Sequence, residues 1–189
     1  MKKGLIVLIV IGVIIASLAG MVISKYNQLV VLDEEVSMSL SQIDNQLQRR
    51  NDLIPNLVET VKAFATQERE IFENVSNARA AMMSAGTVEE KDAANAELTG
   101  SLSRLIAISE NYPDLKSDEN FRQLSDELAG TENRIATARM DYNNVARNYN
   151  SIAKRFPMNI FAGMFGFDDA VYFEASEGAD QVPTVDFGN

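Results

Sequence analysis

The chain contains no cysteine and no histidine. Without Cys there is no disulfide, no thiolate zinc site and no cysteine nucleophile, and a Cys-free chain suits either redox compartment. Without His the commonest general base and the commonest transition-metal ligand are both missing. Basic residues are scarce as well: 17 Lys and Arg stand against 27 Asp and Glu, a net charge of −10. That balance disfavours nucleic acid and anionic lipid surfaces, which reward basic patches, and no basic patch stands out. These absences point away from an enzyme and from a cofactor or metal protein.

What is present begins with a charge-free run, Gly4 to Ser24 (GLIVLIVIGVIIASLAGMVIS). As a helix it is roughly 30 Å long, the thickness of a bilayer's hydrocarbon core. Lys2 and Lys3 followed by Ser17-Leu18-Ala19 also resemble a signal peptide with a small-x-small cleavage site. Apolarity continues through Met21, Val22 and Ile23, so the expected outcome is a retained signal-anchor. Met21 stands where a lipobox would need Cys, which excludes a lipoprotein. Lys2, Lys3 and the amino terminus on one side, against Lys25 on the other, favour a cytoplasmic N-terminus and an extracytoplasmic domain.

About 165 residues follow the anchor, enough for one domain. Alternating steps of four and three from Val36 to Met82 meet apolar residues at every slot except Arg50 and Glu68. This is helical periodicity, and an unbroken helix would be about 70 Å long. Pro55 lies inside it, where it cannot donate to the carbonyl of Asn51. Because the phase is the same on both sides, one kinked helix is expected; the alternative is a hairpin at Arg49 to Pro55. Ser84-Ala85-Gly86-Thr87 should close this helix, with Thr87 and Glu90 at capping-box spacing opening the next.

Ala94, Leu98, Leu102, Leu105 and Tyr112 line a second helix that ends before Pro113. Ser117, followed by Asp118 and Glu119, is the expected N-cap of a third. From Phe121 to Phe156 that helix keeps a three-four stripe, and Pro157 ends it. Gly130 within it marks either a close helix approach or ordinary tolerance. The expected fold is therefore all-α: a single N-terminal transmembrane helix and an antiparallel up-and-down bundle of three long helices, or four if the first breaks at Pro55. The domains are residues 1–25 as anchor, 26–156 as bundle and 157–189 as an aromatic, acidic tail. Residues 178–189 read as flexible.

Arg50 and Glu68 occupy inward slots but stand roughly 27 Å apart along one helix, so each needs a partner from another helix. Register-setting ion pairs are one reading. The other is a recognition patch of Arg49, Arg50, Asn51, Asp52, Pro55 and Asn56 for another protein. From Phe156 onward the chain has no Lys or Arg and holds half of its Phe and Tyr residues. Phe161, Phe165, Phe167, Tyr172 and Phe173 should dock, either on the protein's own bundle or on a partner or membrane. The acidic residues Asp168, Asp169, Glu174, Glu177 and Asp180 match no calcium-loop spacing, and no Ser/Lys pair has a nucleophile turn beside it. The amides of the Asn-rich stretch from Asp141 to Asn150 are placed to bond across to the first helix or to a partner.

The run YNQLVVLDEEVSMSLSQIDNQLQRRNDLIPNLVETVKAFATQEREIFENVSNARA, directly after one hydrophobic segment, resembles the LemA family of bacterial membrane proteins. ARMDYNNVARNYNSIAKRFPMNIFAGMFGF, AVYFEAS and VPTVDF reinforce the likeness, which covers nearly the whole chain. The family's RRNDLIPNL pattern falls on Arg49 to Leu57 without departure. The resemblance implies a single-pass cell-membrane protein with an antiparallel helical bundle, no established catalysis and no catalytic residues to carry over. The expected function is a non-enzymatic scaffold or interaction protein of the cell envelope; the alternative is an accessory or regulator of an envelope enzyme such as a membrane protease. Expected partners are the lipid bilayer through Gly4 to Ser24 and other envelope proteins or further copies of the chain. No cofactor or small-molecule substrate is identified.

Overall fold

The computed structural model describes residues 2–174, and all regular structure among them is helical. Helix α1 (Lys2–Phe64) is followed by α2 (Arg69–Ser84), α3 (Val88–Ala107), a 3-10 turn at Ile108–Asn111, α4 (Pro113–Ser117), α5 (Glu119–Ala153) and α6 (Met158–Phe165). Among the described residues, α1 alone is long and apolar enough to cross a membrane. From Leu5 to Ile23 its large apolar side chains, Val22 aside, stand 47% to 68% exposed, so no protein core covers them.

Pro55 lies inside α1 without breaking it. Its ring is exposed, so the steric cost falls on the solvent side. The carbonyl it leaves without an intrahelical donor, that of Asn51, accepts instead from Nε of Arg79 on α2, 3.2 Å away. A tertiary contact thus replaces the hydrogen bond that the proline removes.

The break comes later than Pro55, which corrects the expectation of a helix running to Met82. Beyond Phe64 the chain turns over Ala65–Glu68: the Glu68 N–H bonds the Ala65 carbonyl at 3.3 Å and the Arg69 N–H that of Gln67 at 2.9 Å. No proline or glycine marks the turn. The three-four rhythm survives it because α1 and α2 bury their stripes in one core, so the phase alone cannot reveal a reversal. Phe64, expected inward, is 39% exposed, while Ala65 is 1% exposed. Glu68, one of the two polar slots, becomes the N-cap residue of α2 and accepts from the Tyr112 hydroxyl at 3.3 Å.

The chain divides into two compact units. One comprises Ile43–Arg139 with the described residues from Val171 to Glu174, and in it four helices alternate in direction. Lys62 over the Phe72 ring and Arg79 on Asn51 make α1 and α2 antiparallel. Asp44 with Lys91 and Arg50 with Asn95 run α1 parallel to α3, while Thr99 with Glu132 and Asp92 with Arg139 set α3 against α5. Leu47, Ile54, Leu57, Val61, Val75, Ala78, Leu98, Leu105, Leu128 and Ile135 are buried, each from an apolar slot of its helix. Four long helices therefore arise without a break at Pro55.

The other unit comprises α1 up to Gln42 together with Met140–Ala170. Leu29, Ala153, Met158 and Ala162 form its core, with Ile152, Phe161 and Phe167 packed against them. After α6, Gly166 adopts φ 75°, a left-handed conformation that glycine takes without strain, and the Phe167 N–H returns to the Ala162 carbonyl at 3.0 Å.

Caps explain the remaining boundaries. The Glu90 N–H donates to Thr87 Oγ1 at 3.2 Å, and Glu90 Oε2 accepts from the N–H groups of Thr87 and Gly86 at 3.1 and 2.7 Å. These donors hold the Glu90 carboxyl below the usual glutamate range, the Gly86 bond contributing most. At α5 the cap is Asp118, not Ser117: Asp118 Oδ1 accepts from the Phe121 N–H at 2.9 Å, because α4 claims Ser117 as its last residue. Phe156, placed inward by the stripe, is 82% exposed. It lies in the turn after Ala153, before a cis Phe156–Pro157 peptide, and so no longer follows the helical phase. Gly130 marks no close helix approach; an added Cβ would meet only the guanidinium of Arg134, at 3.3 Å.

Candidate functional site

The densest polar cluster surrounds Arg50, which α1 carries into the bundle at 3% exposure. Its Nη1 lies 2.5 Å from Glu132 Oε2, 2.9 Å from Asn95 Oδ1 and 3.0 Å from Thr99 Oγ1. The Thr99 hydroxyl in turn donates to the Asn95 carbonyl at 2.8 Å. Burial lowers the Arg50 pKa, and the Glu132 carboxylate opposes that shift. An arginine guanidinium stays charged at neutral pH even so, and the cluster is an ion pair in a mostly apolar setting. Glu132 keeps 40% of its side chain exposed, so only one partner of the pair is fully withdrawn from water.

Asn95, Thr99 and Glu132 also line an open cleft of about 740 Å³ with Asp92, Arg139 and Tyr172. Across one wall Arg139 pairs with Asp92 and places its guanidinium 4.9 Å from the centre of the Phe173 ring. Burial lowers the pKa of Arg139 as well. Asp92 Oδ2 accepts the Glu174 N–H at 3.3 Å, so one carboxylate serves both the arginine and the docked tail segment.

The six residues of the proposed patch do not share one surface. Arg50 and Asn51 are buried, while Arg49, Asp52, Pro55 and Asn56 are exposed. Arg49 lines a cleft of about 700 Å³ with residues of α5, including Arg122 and Arg134. Asn51 and Asp52 line a different one, of about 370 Å³, with Arg79 and Met83 of α2. Helical geometry explains the division, since adjacent residues on a helix point about 100° apart.

The aromatic tail divides between the two units. In the unit of α1 up to Gln42 with Met140–Ala170, Phe161 and Phe167 pack on the Leu29 cluster, and the Tyr26 ring meets Phe165 and Phe167 edge-on at 5.0 and 5.9 Å. The Asn150 amide donates to the Ala170 carbonyl at 2.8 Å and accepts its N–H at 2.9 Å, pairing with backbone as a strand would. Tyr149 adds a hydroxyl bond to the Asp168 carbonyl at 2.8 Å. Its pKa is raised first by burial, then by the carboxylates of Asp33, Asp169 and Asp168. In the unit of Ile43–Arg139, Phe173 is 5% exposed beside Ile43, Leu47 and Ile135, whereas Tyr172 is 42% exposed. Asp169 pairs with Lys154 at 2.8 Å. Among the described residues no group of three acidic side chains is arranged to hold a metal ion. Glu177, Asp180 and residues 178–189 lie outside the described residues.

Sequence reasoning pointed to Arg50 and the Asn-rich stretch but not to Glu132, Asn95, Thr99, Asp92 or Arg139. A signal for Glu132 existed: it follows Thr131, the polar slot of the α5 stripe, and an inward arginine requires a carboxylate at its own level. The Asp92–Arg139 pair left none, because both lie beside apolar stripes rather than on them.

A LemA family model matches residues 39–187. The chain is 29% identical over 200 residues to magnetosome protein MamQ 2 of Paramagnetospirillum magneticum, covering 92% of this chain and 74% of that protein. It is 28% identical over 182 residues to magnetosome protein MamQ of Magnetospirillum gryphiswaldense, covering 82% and 67%. It is 24% identical over 159 residues to protein LemA of Metamycoplasma hominis, covering 82% and 71%. With the family model spanning most of its length, the chain belongs to the LemA family.

Proposed function

We propose that this protein is a non-enzymatic, single-pass scaffold of the bacterial cell envelope. Residues 1–25 anchor it, the bundle stands on the extracytoplasmic side, and the N-terminus lies in the cytoplasm. The observation that carries this reading is in α1 itself: its first part is long and apolar enough to cross a membrane and is covered by no protein core. The charged groups inside the bundle support a structural rather than a chemical role, since Arg50, Lys91 and Arg139 are each engaged by a carboxylate from another helix. The surface offered to other envelope proteins, or to further copies of the chain, includes Arg49, Asp52, Pro55 and Asn56, which are exposed on α1.

Crosslinking in intact membranes, then size analysis in mild detergent, tests the interaction role. Higher-order species or a copurifying envelope protein are expected; a monodisperse monomer with nothing bound would sink the proposal. Protease protection of the C-terminus in intact cells and in inverted vesicles tests the orientation, with digestion expected only from outside the cell.

A further inference from the structure

Helix α6 carries no charged residue, and none occurs from Pro157 to Phe167. Its Met158 and Ala162 belong to the core cluster around Leu29. The opposite face is apolar too: Ile160 and Met164, one turn apart, are 55% and 60% exposed, and Phe156 in the preceding turn is 82% exposed. Scattered exposed apolar residues are ordinary on a protein surface, but an uncharged helix whose one polar side chain is the exposed Asn159, and whose outward face carries Ile160 and Met164, calls for a covering.

Contacts within the unit of α1 up to Gln42 with Met140–Ala170 set α6 beside α1. Met158 and Ala162 sit at the level of Leu29, and Phe165 meets Tyr26. Along α6 the chain therefore descends along α1 toward the apolar run that ends at Ser24. Tyr26 lies two residues beyond that run, about 3 Å along the helix axis. A bilayer's polar interfacial layer is roughly 5 to 7 Å deep on each side, so Tyr26 stands within it. Helical side chains also lean toward the N-terminus, which tips the Tyr26 ring toward the hydrocarbon. Tyr at this depth belongs to the aromatic belt of membrane proteins.

We propose that the C-terminal end of α6 is a second membrane contact, with Ile160 and Met164 inserted into the lipid interface beside the root of α1. This rests on the reading of Gly4 to Ser24 as a membrane span. The contact is apolar rather than electrostatic: no charged residue lies on α6, and Asp168 and Asp169, beyond Gly166 and Phe167, remain exposed, so a neutral lipid surface is the fitting partner. The geometry also sets an order of depth, with Met164 deeper than Ile160 and Phe156 the shallowest.

The Cys-free chain permits single-site spin labelling of the whole protein in phosphatidylcholine vesicles. Labels replace Ile14, Phe156, Ile160, Met164 or Met83 one at a time, the last an exposed residue of α2. Collisions with oxygen, which concentrates in lipid, are compared with collisions with a water-soluble nickel chelate. Oxygen should dominate at Ile14, Met164 and Ile160 and the chelate at Met83, with Phe156 between. Met164 and Ile160 behaving like Met83 while Ile14 stays in lipid would overturn the interfacial contact alone. A label at Ile14 exposed to the chelate would overturn the membrane span, and this contact with it. Labels at 160 and 164 shielded from both reagents, and uncovered on dilution with lipid, would replace the bilayer with a second copy of the chain as the occupant.

Discussion

Replacing Pro55 with Ala should stabilise the protein and at the same time make Arg79 nearly dispensable. A proline in a helix interior costs about 3 kcal/mol relative to Ala, part of it the missing hydrogen bond and part the ring's clash with the preceding turn. Here the orphaned Asn51 carbonyl is already served by Arg79 Nε at 3.2 Å, so Pro55→Ala should gain about 2 kcal/mol rather than the full amount. Arg79→Ala removes that donor from a carbonyl on a residue only 8% exposed, and leaving such a group unpaired costs about 2 kcal/mol. In the Pro55→Ala background residue 55 supplies the N–H, and the Arg79→Ala cost should fall to about 0.5 kcal/mol. The double-mutant cycle therefore carries a coupling of about 1.5 kcal/mol, measurable by urea unfolding of the detergent-solubilised chain followed by its helical circular dichroism. Equal costs of Arg79→Ala in both backgrounds would refute the claim that Arg79 stands in for the donor lost at Pro55.

The Arg50 pair should respond asymmetrically: Glu132→Ala strands a buried guanidinium at about 2 to 3 kcal/mol, discounted because Glu132 is partly solvated, while Arg50→Met costs only about 1 kcal/mol, chiefly through Asn95. Urea midpoints that rank the two in reverse would contradict this. Glu90 has a depressed folded-state pKa, so its contribution is in place above the unfolded value of about 4.3 and is lost as pH falls through the folded value. Glu90→Gln should accordingly flatten the loss of stability between neutral and acid pH, and an unchanged acid limb would count against the cap. Phe173→Ala should release the docked tail segment, raising hydrogen exchange at residues 171–174 without unfolding the bundle; global unfolding would show that the segment is part of the core. Gly100, exposed on α3 with nothing within 4 Å of an added Cβ, should gain about 0.8 kcal/mol on replacement by Ala, read as a rise in melting temperature.

The sequence by itself determined the features that depend on local chemistry. An uncharged run of bilayer length, a three-four apolar rhythm, and a Thr87–Glu90 capping box act through a few neighbouring residues, so length and spacing suffice to read them. Tertiary structure decided what depends on which element meets which. The turn at Ala65–Glu68 was invisible because two helices packed on one core keep a common phase. Pro55 stays inside α1, where Arg79 from another helix serves the carbonyl it leaves open. Arg50 required a carboxylate by charge balance, but only the antiparallel pairing of the bundle selects Glu132. The patch around Pro55 was contiguous in sequence and divides in space, because successive residues on a helix point in different directions. The tail was aromatic enough to predict docking, yet its seats depend on Asn150 and Arg139, whose partners are distant in sequence.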